Sequence, residues 1–239
     1  MQQNLLQFNQ KKQNIMKKVA VIGATGFVGA HVVSELAERG YAVEALVRDA
    51  SKVKTQENVT AKSVDVNNVS ELAEALKGSD AVISTFNAGW TNPNLYNDFL
   101  NGSENIEKAV EQSGVKRLIV VGGAGSLYTP DNVQIVDTPD FPEAYKPGAT
   151  AARDYLNKIK ENNTLDWTFF SPAIEMNQAN VGERTGKYRT SLETPVFDEN
   201  GRSRLSVEDV AVVLVDELEQ NNHIRERFTA AYQLIKEQK

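Results

Sequence analysis

The stretch VAVIGATGFVG, Val19 to Gly29, runs from an apolar strand straight into three glycines spaced three residues apart. In a strand-turn-helix unit each glycine has its own task. Gly23 permits the tight turn, Gly26 lets backbone come close to a pyrophosphate, and Gly29 lets the new helix pack against the sheet. Thr25, Phe27 and Val28 complete the turn and open the helix, whose unpaired N–H groups and positive end suit an anion. Alone, the pattern Gly-x-x-Gly-x-x-Gly is weak evidence. Its worth depends on what flanks it.

Outward from that turn, short β-branched runs alternate with helical patterns. The runs are KVAVI (18–22), AVEALV (42–47), TAKSVDV (60–66), DAVIST (80–85), KRLIVV (116–121) and DWTFFS (166–171). Helical patterns are expected over 28–40, 68–78, 97–114 and 149–163, with Gly40, Gly78 and Gly114 closing three of them as C-terminal caps. Apolar strands separated by helices specify a parallel sheet covered on both faces, and right-handed crossovers make it a doubly wound, Rossmann-type α/β fold. Two regions break the alternation. Residues 122–148 hold four of the seven prolines and no helical period, so they read as a long loop beyond the fifth strand, where sites are usually lined. Residues 175–205 are irregular too, and read as a small C-terminal lobe that closes over substrate before a last helix (207–220) and the apolar FTAAY.

With the strand order in place, the dinucleotide reading of the turn is strong, and further positions follow. An acidic residue at the end of the second strand holds the ribose of NAD, whereas an arginine holds the 2′-phosphate of NADP. Here Arg48 follows the strand directly; a guanidinium pairs with phosphate in a bidentate way, which favours NADP. Asp49 is the competitor, and NAD is preferred if its carboxylate points into the site. Asp65 and Val66 are expected beside the adenine, and Ser84, Thr85, Phe86 and Asn87 along the ribose toward the nicotinamide, although Phe86 also suits plain core.

Composition narrows the rest. The chain has 239 residues, 41% hydrophobic, with a formal net charge of −6, which suits one α/β domain and argues against nucleic acid or an anionic membrane as partner. It has no cysteine, hence no disulfide, no thiol nucleophile and no thiolate metal site, which agrees with a reducing cytoplasm. His31 and His223 stand alone and read as structural. No apolar run reaches the roughly 18 residues of a membrane span. The Gln/Asn-rich residues 1–15 read as a loose tail preceding a chain that works from Met16 onward.

From Lys17 to about Tyr232 the chain resembles the extended and atypical short-chain dehydrogenase/reductases, and within them the NmrA-like NAD(P)H-binding proteins, among which are proteins provisionally named NADH-flavin reductases. The likeness is carried by GATGFVG, VVGGAGSL (120–127), VDTPDFP (136–142), LDWTFFSPA (165–173), ERTGKYR (183–189) and HIRERFTAAY (223–232). It implies a Rossmann fold, a nicotinamide cofactor touched by the backbone around Ser171, Pro172 and Ala173, and reduction of a flavin or similar acceptor. It also implies that Ser126 is the serine after the fifth strand.

One departure from that family discriminates between reactions. Members that oxidise alcohols use a tyrosine four residues before a lysine as a proton shuttle. Four residues beyond Tyr145 stands Ala149, and four beyond Tyr155 stands Ile159. Without the pair, carbonyl chemistry forfeits typically 10²- to 10⁴-fold in rate. A flavin or quinone, already electrophilic and able to take its proton from water, suffers less. Ser126, Tyr145 and Lys146 remain the catalytic candidates, with Ser126 as a hydrogen-bond donor and Lys146 as an attractor for a phosphate or acceptor oxygen. Trp90 and Tyr96 are candidates for stacking on a flat acceptor, and Arg184, Lys187 and Arg189 for binding an acidic one. The preferred expectation is a cytoplasmic oxidoreductase using NADP, or NAD, with a flavin, quinone or similar small molecule as substrate. Two alternatives stand beside it: an NADP(H)-sensing regulator without turnover, and a sugar-nucleotide epimerase or dehydratase.

Overall fold

The apolar runs pair into one eight-stranded sheet of order β3-β2-β1-β4-β5-β6-β8-β7. The computed structural model describes residues 17–232; the tail expected over 1–15 lies outside them. The strands are β1 (Lys18–Ile22), β2 (Ala42–Val47), β3 (Val59–Ser63), β4 (Ala81–Ser84), β5 (Arg117–Val121), β6 (Asp166–Phe170), β7 (Arg189–Ser191) and β8 (Glu226–Ala231). The helices are α1 (Phe27–Glu38), α2 (Val69–Leu76), α3 (Leu95–Ser113), α4 (Lys146–Ile159) and α5 (Val207–Gln220). All neighbours are parallel except β7, which runs antiparallel to β8 at the edge. This is the doubly wound Rossmann arrangement.

Side-chain alternation explains the two layers. In β1, Val19 and Val21 enter the core shared with α1 and α5, while Ala20 and Ile22 enter the core shared with α2, α3 and α4. A strand buried on both faces has no polar position to spare, which is why its sequence is an unbroken apolar run. Gly40, Gly78 and Gly114 all take positive φ just past helix ends, as a residue without Cβ does at no steric cost.

The structure corrects the irregular regions. Residues 122–148 contain three short 3₁₀ turns, at Ala124–Ser126, Ile135–Asp137 and Glu143–Tyr145, and α4 begins at Lys146 rather than 149. Lys146 is therefore helical and not in a loop. Pro147 fits there because the first helical turn lacks intrahelical N–H bonds in any case. Residues 175–205 contain the short strand β7, whose exposed-exposed-intermediate pattern carries no apolar signal. The lobe follows the carboxyl end of β6 and packs over α1 and α5 through side-chain bonds described below.

Candidate functional site

Chain order reverses between β1, whose neighbour is β2, and β4, whose successor lies on the other side. The loops beyond the carboxyl ends of these two strands diverge and leave a crevice, the place where α/β sheets bind ligands. The glycine turn forms its floor. Gly23 has φ +81°, and its N–H donates to the Leu46 carbonyl at 3.0 Å. A Cβ on Gly29 would lie 2.2 Å from the Gly23 carbonyl oxygen and 2.7 Å from Thr85 Oγ1, so only hydrogen fits. Thr85, the first residue after β4, bonds the Ile22 carbonyl at 2.9 Å and ties the two strands together at the crevice. Gly26 caps α1 with no side-chain hydrogen bond to the helix end, and Thr25 and Gly26 are exposed while Phe27 is partly buried and Val28 and Gly29 are buried. The first amides of α1 are thus uncovered and aimed at solvent, and backbone can approach an anion there. The cradle fits a dinucleotide pyrophosphate.

Beyond β2 the two competitors separate. Asp49 is occupied as a cap: its carboxylate accepts from Ser51 N at 3.1 Å and Ser51 Oγ at 2.7 Å, which holds it below the ordinary aspartate range. Arg48 is exposed and has no hydrogen-bond or ion-pair partner among the described residues. Asp65 is exposed and accepts from Asn67 N at 2.9 Å, with Val66 half-buried beside it. Ser84 is buried. Phe86 is partly packing: its ring stacks on Phe99 with centroids 6.0 Å apart and fills the space that a Cβ on Gly102 would take. Asn87 accepts from Gly89 N at 2.7 Å.

Beyond β5 the catalytic candidates do not converge. Ser126 is 1% exposed; its hydroxyl lies 3.1 Å from Ser171 Oγ and accepts from Arg227 Nη1 at 3.2 Å. Arg227 also donates to the Ser126 carbonyl at 2.9 Å and pairs with Glu193. None of these partners is Tyr145 or Lys146. Tyr145 is 57% exposed and meets the ring of Trp90, while Lys146 pairs with Glu143 at 3.0 Å on the surface. Tyr96 is tethered, its hydroxyl donating to Asp154 at 2.7 Å, a bond that pushes the phenol pKa up. Pro172 and Ala173 are buried where the chain leaves β6.

The basic cluster divides likewise. Arg184 grips the buried Glu35 of α1 with two bonds of 2.8 and 2.7 Å. Arg189 donates to the Phe197 carbonyl, and Lys187 is exposed. His31 packs against Phe27, and His223 stacks on Phe228 with Nδ1 2.7 Å from the buried Glu217. A cleft of about 350 Å³ lined by Tyr188, Val213, Asp216, His223 and Phe228 lies between β7 and α5, and no residue of the glycine turn lines it. Among the described residues no group of acidic, histidine or cysteine side chains is arranged for a metal ion, and no helix is long and apolar enough to cross a membrane.

Three organising residues escaped the sequence reading: Glu35, Asp209 and Arg227. Each is charged, fully or nearly buried, and embedded in an apolar pattern. That incongruity was the available signal, since a buried charge is kept only where partners satisfy it.

The profile of the NAD(P)H-binding family matches residues 23–221, from the first glycine of the turn to the end of α5. The chain belongs to this NAD(P)H-binding family. Over 214 residues it is 36% identical to the uncharacterized protein YwnB of Bacillus subtilis (strain 168), covering 89% of this chain and 97% of that one. A structure from Bacteroides thetaiotaomicron, provisionally named an epimerase, superposes with TM-score 0.84 at 39% identity, over 92% of this chain and 99% of its own. Another from Streptococcus pneumoniae TIGR4, provisionally named an NADH-flavin reductase, gives 0.77 at 37%, over 90% and 99%. Family membership supports a nicotinamide cofactor, and the two provisional names part over what is done with it.

Proposed function

We propose that this family member is an NAD(P)H-dependent oxidoreductase that reduces a flavin, quinone or similar flat acceptor, working in the cytoplasm where reduced nicotinamide is made. The observation that carries this reading is the state of the would-be proton shuttle. Ser126 is buried and bonded to Ser171 and Arg227, Tyr145 stands out in solvent, and Lys146 is one residue from it and paired with Glu143. None of these three side chains is set to pass a proton to a reacting carbonyl. An acceptor that takes its second hydrogen from water has no need of one.

The bound nicotinamide supplies the hydride: NAD(P)H, the oxidised acceptor and a solvent proton become NAD(P)⁺ and the reduced acceptor. The chain binds, orients and shields. The first amides of α1, from Phe27 onward, hold the pyrophosphate, since those of Gly23 and Gly26 are already bonded to backbone carbonyls. Arg48, exposed and without a partner among the described residues, takes the 2′-phosphate, so NADPH is favoured over NADH. Thr85 and Asn87 set the path of the ribose, with Pro172 and the buried backbone around it against the nicotinamide amide. Ser126 acts as a positioning residue that holds the turn after β5. A second reading, binding of NADP(H) as a signal without turnover, draws on the same missing shuttle.

Stopped-flow absorbance at 340 nm with NADPH or NADH, adding FMN, FAD and a quinone in turn, separates the two. Rapid acceptor-dependent oxidation is expected. Arg48→Ala should raise the KM for NADPH about 10-fold and leave that for NADH unchanged. Tight binding with no oxidation by any acceptor would replace the reductase with the sensor.

A further inference from the structure

Two of the largest exposed side chains of the molecule touch each other. Trp90 is 59% exposed and Tyr145 57%, yet their rings meet edge to face, 5.6 Å between centroids at 87°. They come from different loops. Trp90 stands five residues beyond Thr85, the residue that bonds the glycine turn. Tyr145 ends the connection that leads from β5 into α4, and α4's first turn packs on the post-β5 turn, where a Cβ on Gly125 would lie 3.0 Å from Ala149 Cβ. The pair therefore bridges the loops after β4 and β5, beside the crevice.

The corner is built rather than accidental. Gly148 is buried in the first turn of α4, and a Cβ there would come within 2.9 Å of the Trp90 ring and 3.2 Å of Leu95. A glycine in a helix interior costs stability relative to alanine, and here it keeps a seat for the indole. The loop carrying Trp90 is pinned by Asn87 to Gly89 N, by Asn92 Nδ2 to the Ala88 carbonyl at 3.3 Å and to Asp98 at 2.8 Å. Tyr96, one turn on, is fixed to Asp154 of α4. A rigid loop thus presents an indole whose free face nothing covers among the described residues. Two rings at right angles offer one face for stacking and one edge for contact, the geometry that planar aromatic systems prefer.

We propose that Trp90 and Tyr145 form an aromatic corner that receives the flat conjugated ring of the acceptor, resting on the reductase reading above. Specificity then follows ring area and planarity, and flat fused rings bind in preference to aliphatic carbonyl compounds of equal size.

The test uses the two tryptophans, since Trp167 is only 2% exposed. Menadione and FMN are titrated into the full chain without nicotinamide, following tryptophan emission, for wild type and Trp90→Phe. Steady-state kinetics with NADPH follow for Trp90→Ala and Gly148→Ala. Gly148→Ala keeps both rings but displaces the indole from its seat, and the backbone there needs no positive φ that would exclude alanine; thermal unfolding checks that the fold is kept. Saturable quenching that shrinks in Trp90→Phe is expected. The acceptor KM should rise about 10-fold in Trp90→Ala and about 3-fold in Gly148→Ala, with kcat and NADPH affinity within about 2-fold. An unchanged acceptor KM in Trp90→Ala, with oxidation intact, overturns the corner and spares the reductase. Saturable Trp90 quenching without oxidation by any acceptor keeps the corner and overturns the reductase. Trp90 emission that tracks protein concentration and dimer formation in light scattering, without added acceptor, overturns the corner in favour of a second copy.

Discussion

The glycine turn and the segment over residues 175–205 are held in shape by opposite means. In the turn, backbone meets backbone: Gly26 N bonds the Gly23 carbonyl, Gly23 N the Leu46 carbonyl, and Thr85 Oγ1 closes the set. Its shape is enforced by exclusion, since a methyl group on Gly29 has nowhere to go. In the lobe, by contrast, distant side chains hold the chain. Asp209 Oδ2 accepts from Thr185 N and Oγ1 and from the Tyr232 hydroxyl, and its Oδ1 accepts from Gly186 N. Arg184 reaches Glu35, and Arg227 reaches Glu193 and Ser126. Sterics make the glycine turn unforgiving of any added side chain. Buried polar tethers hold the other region through a few specific side chains.

Replacing Gly29 with alanine attacks the first region most severely. The methyl 2.2 Å from the Gly23 oxygen should weaken NADPH binding about 100-fold or more and cost about 2 kcal/mol of stability. Fluorescence titration and thermal unfolding measure both; near-normal affinity would show that the turn tolerates reshaping, and the contrast with the lobe would fall. Asp209→Ala attacks the second region. The carboxylate is fully buried, and its loss strands four donors, for about 3 kcal/mol. Limited proteolysis should then cut within 180–188 while NADPH affinity changes less than about 3-fold. Uncut protein would mean that the lobe does not depend on its tether.

A smaller effect comes with acid. Burial by itself raises the Glu35 pKa, but the guanidiniums of Arg184 and Arg39 outweigh it and hold the carboxyl below the ordinary glutamate range. A depressed folded-state pKa adds stability at neutral pH, and that stability is lost as pH falls through the folded value. In Arg184→Gln the pKa moves back up, so the loss begins at higher pH. The acid midpoint followed by circular dichroism should rise by about half a unit. Since Arg184 is half exposed, its neutral-pH contribution is about 1 kcal/mol or less. An unmoved midpoint would assign the pair to Arg39 alone. The smallest expected effect is at Lys146, whose partner Glu143 is exposed. Lys146→Ala should raise the KM for FMN about 2-fold at low salt and leave that for menadione unchanged, because only FMN carries a phosphate and surface charge is screened.

Legibility followed the range of the interactions. The strands β1, β2 and β6 were readable nearly to the residue, since burial on both faces leaves its mark on contiguous positions. The start of α4 was misplaced by three residues, because Pro147 reads as a breaker until its place in the first turn is seen. β7 was invisible: with side chains exposed or half-exposed, it is a strand only because β8 lies alongside. Among site residues, Gly23, Gly29 and Thr85 were named from position alone. Arg184, read by charge alone, is a solvated cation or a ligand for an acidic acceptor, and only the fold brings Glu35 within 2.7 Å of it across 149 residues.

The sequence by itself therefore determined the doubly wound sheet, the family and the place of the glycine turn, because period, glycine spacing and strand burial are properties of neighbouring residues. The partners of the charges were decided by the tertiary structure alone. Arg184 reached across to Glu35, Ser126 went under Arg227, and Trp90 met Tyr145 over a glycine. Those outcomes depend on which distant segments the fold sets side by side, and a pairing energy that exists only at contact distance leaves no periodic trace in the chain.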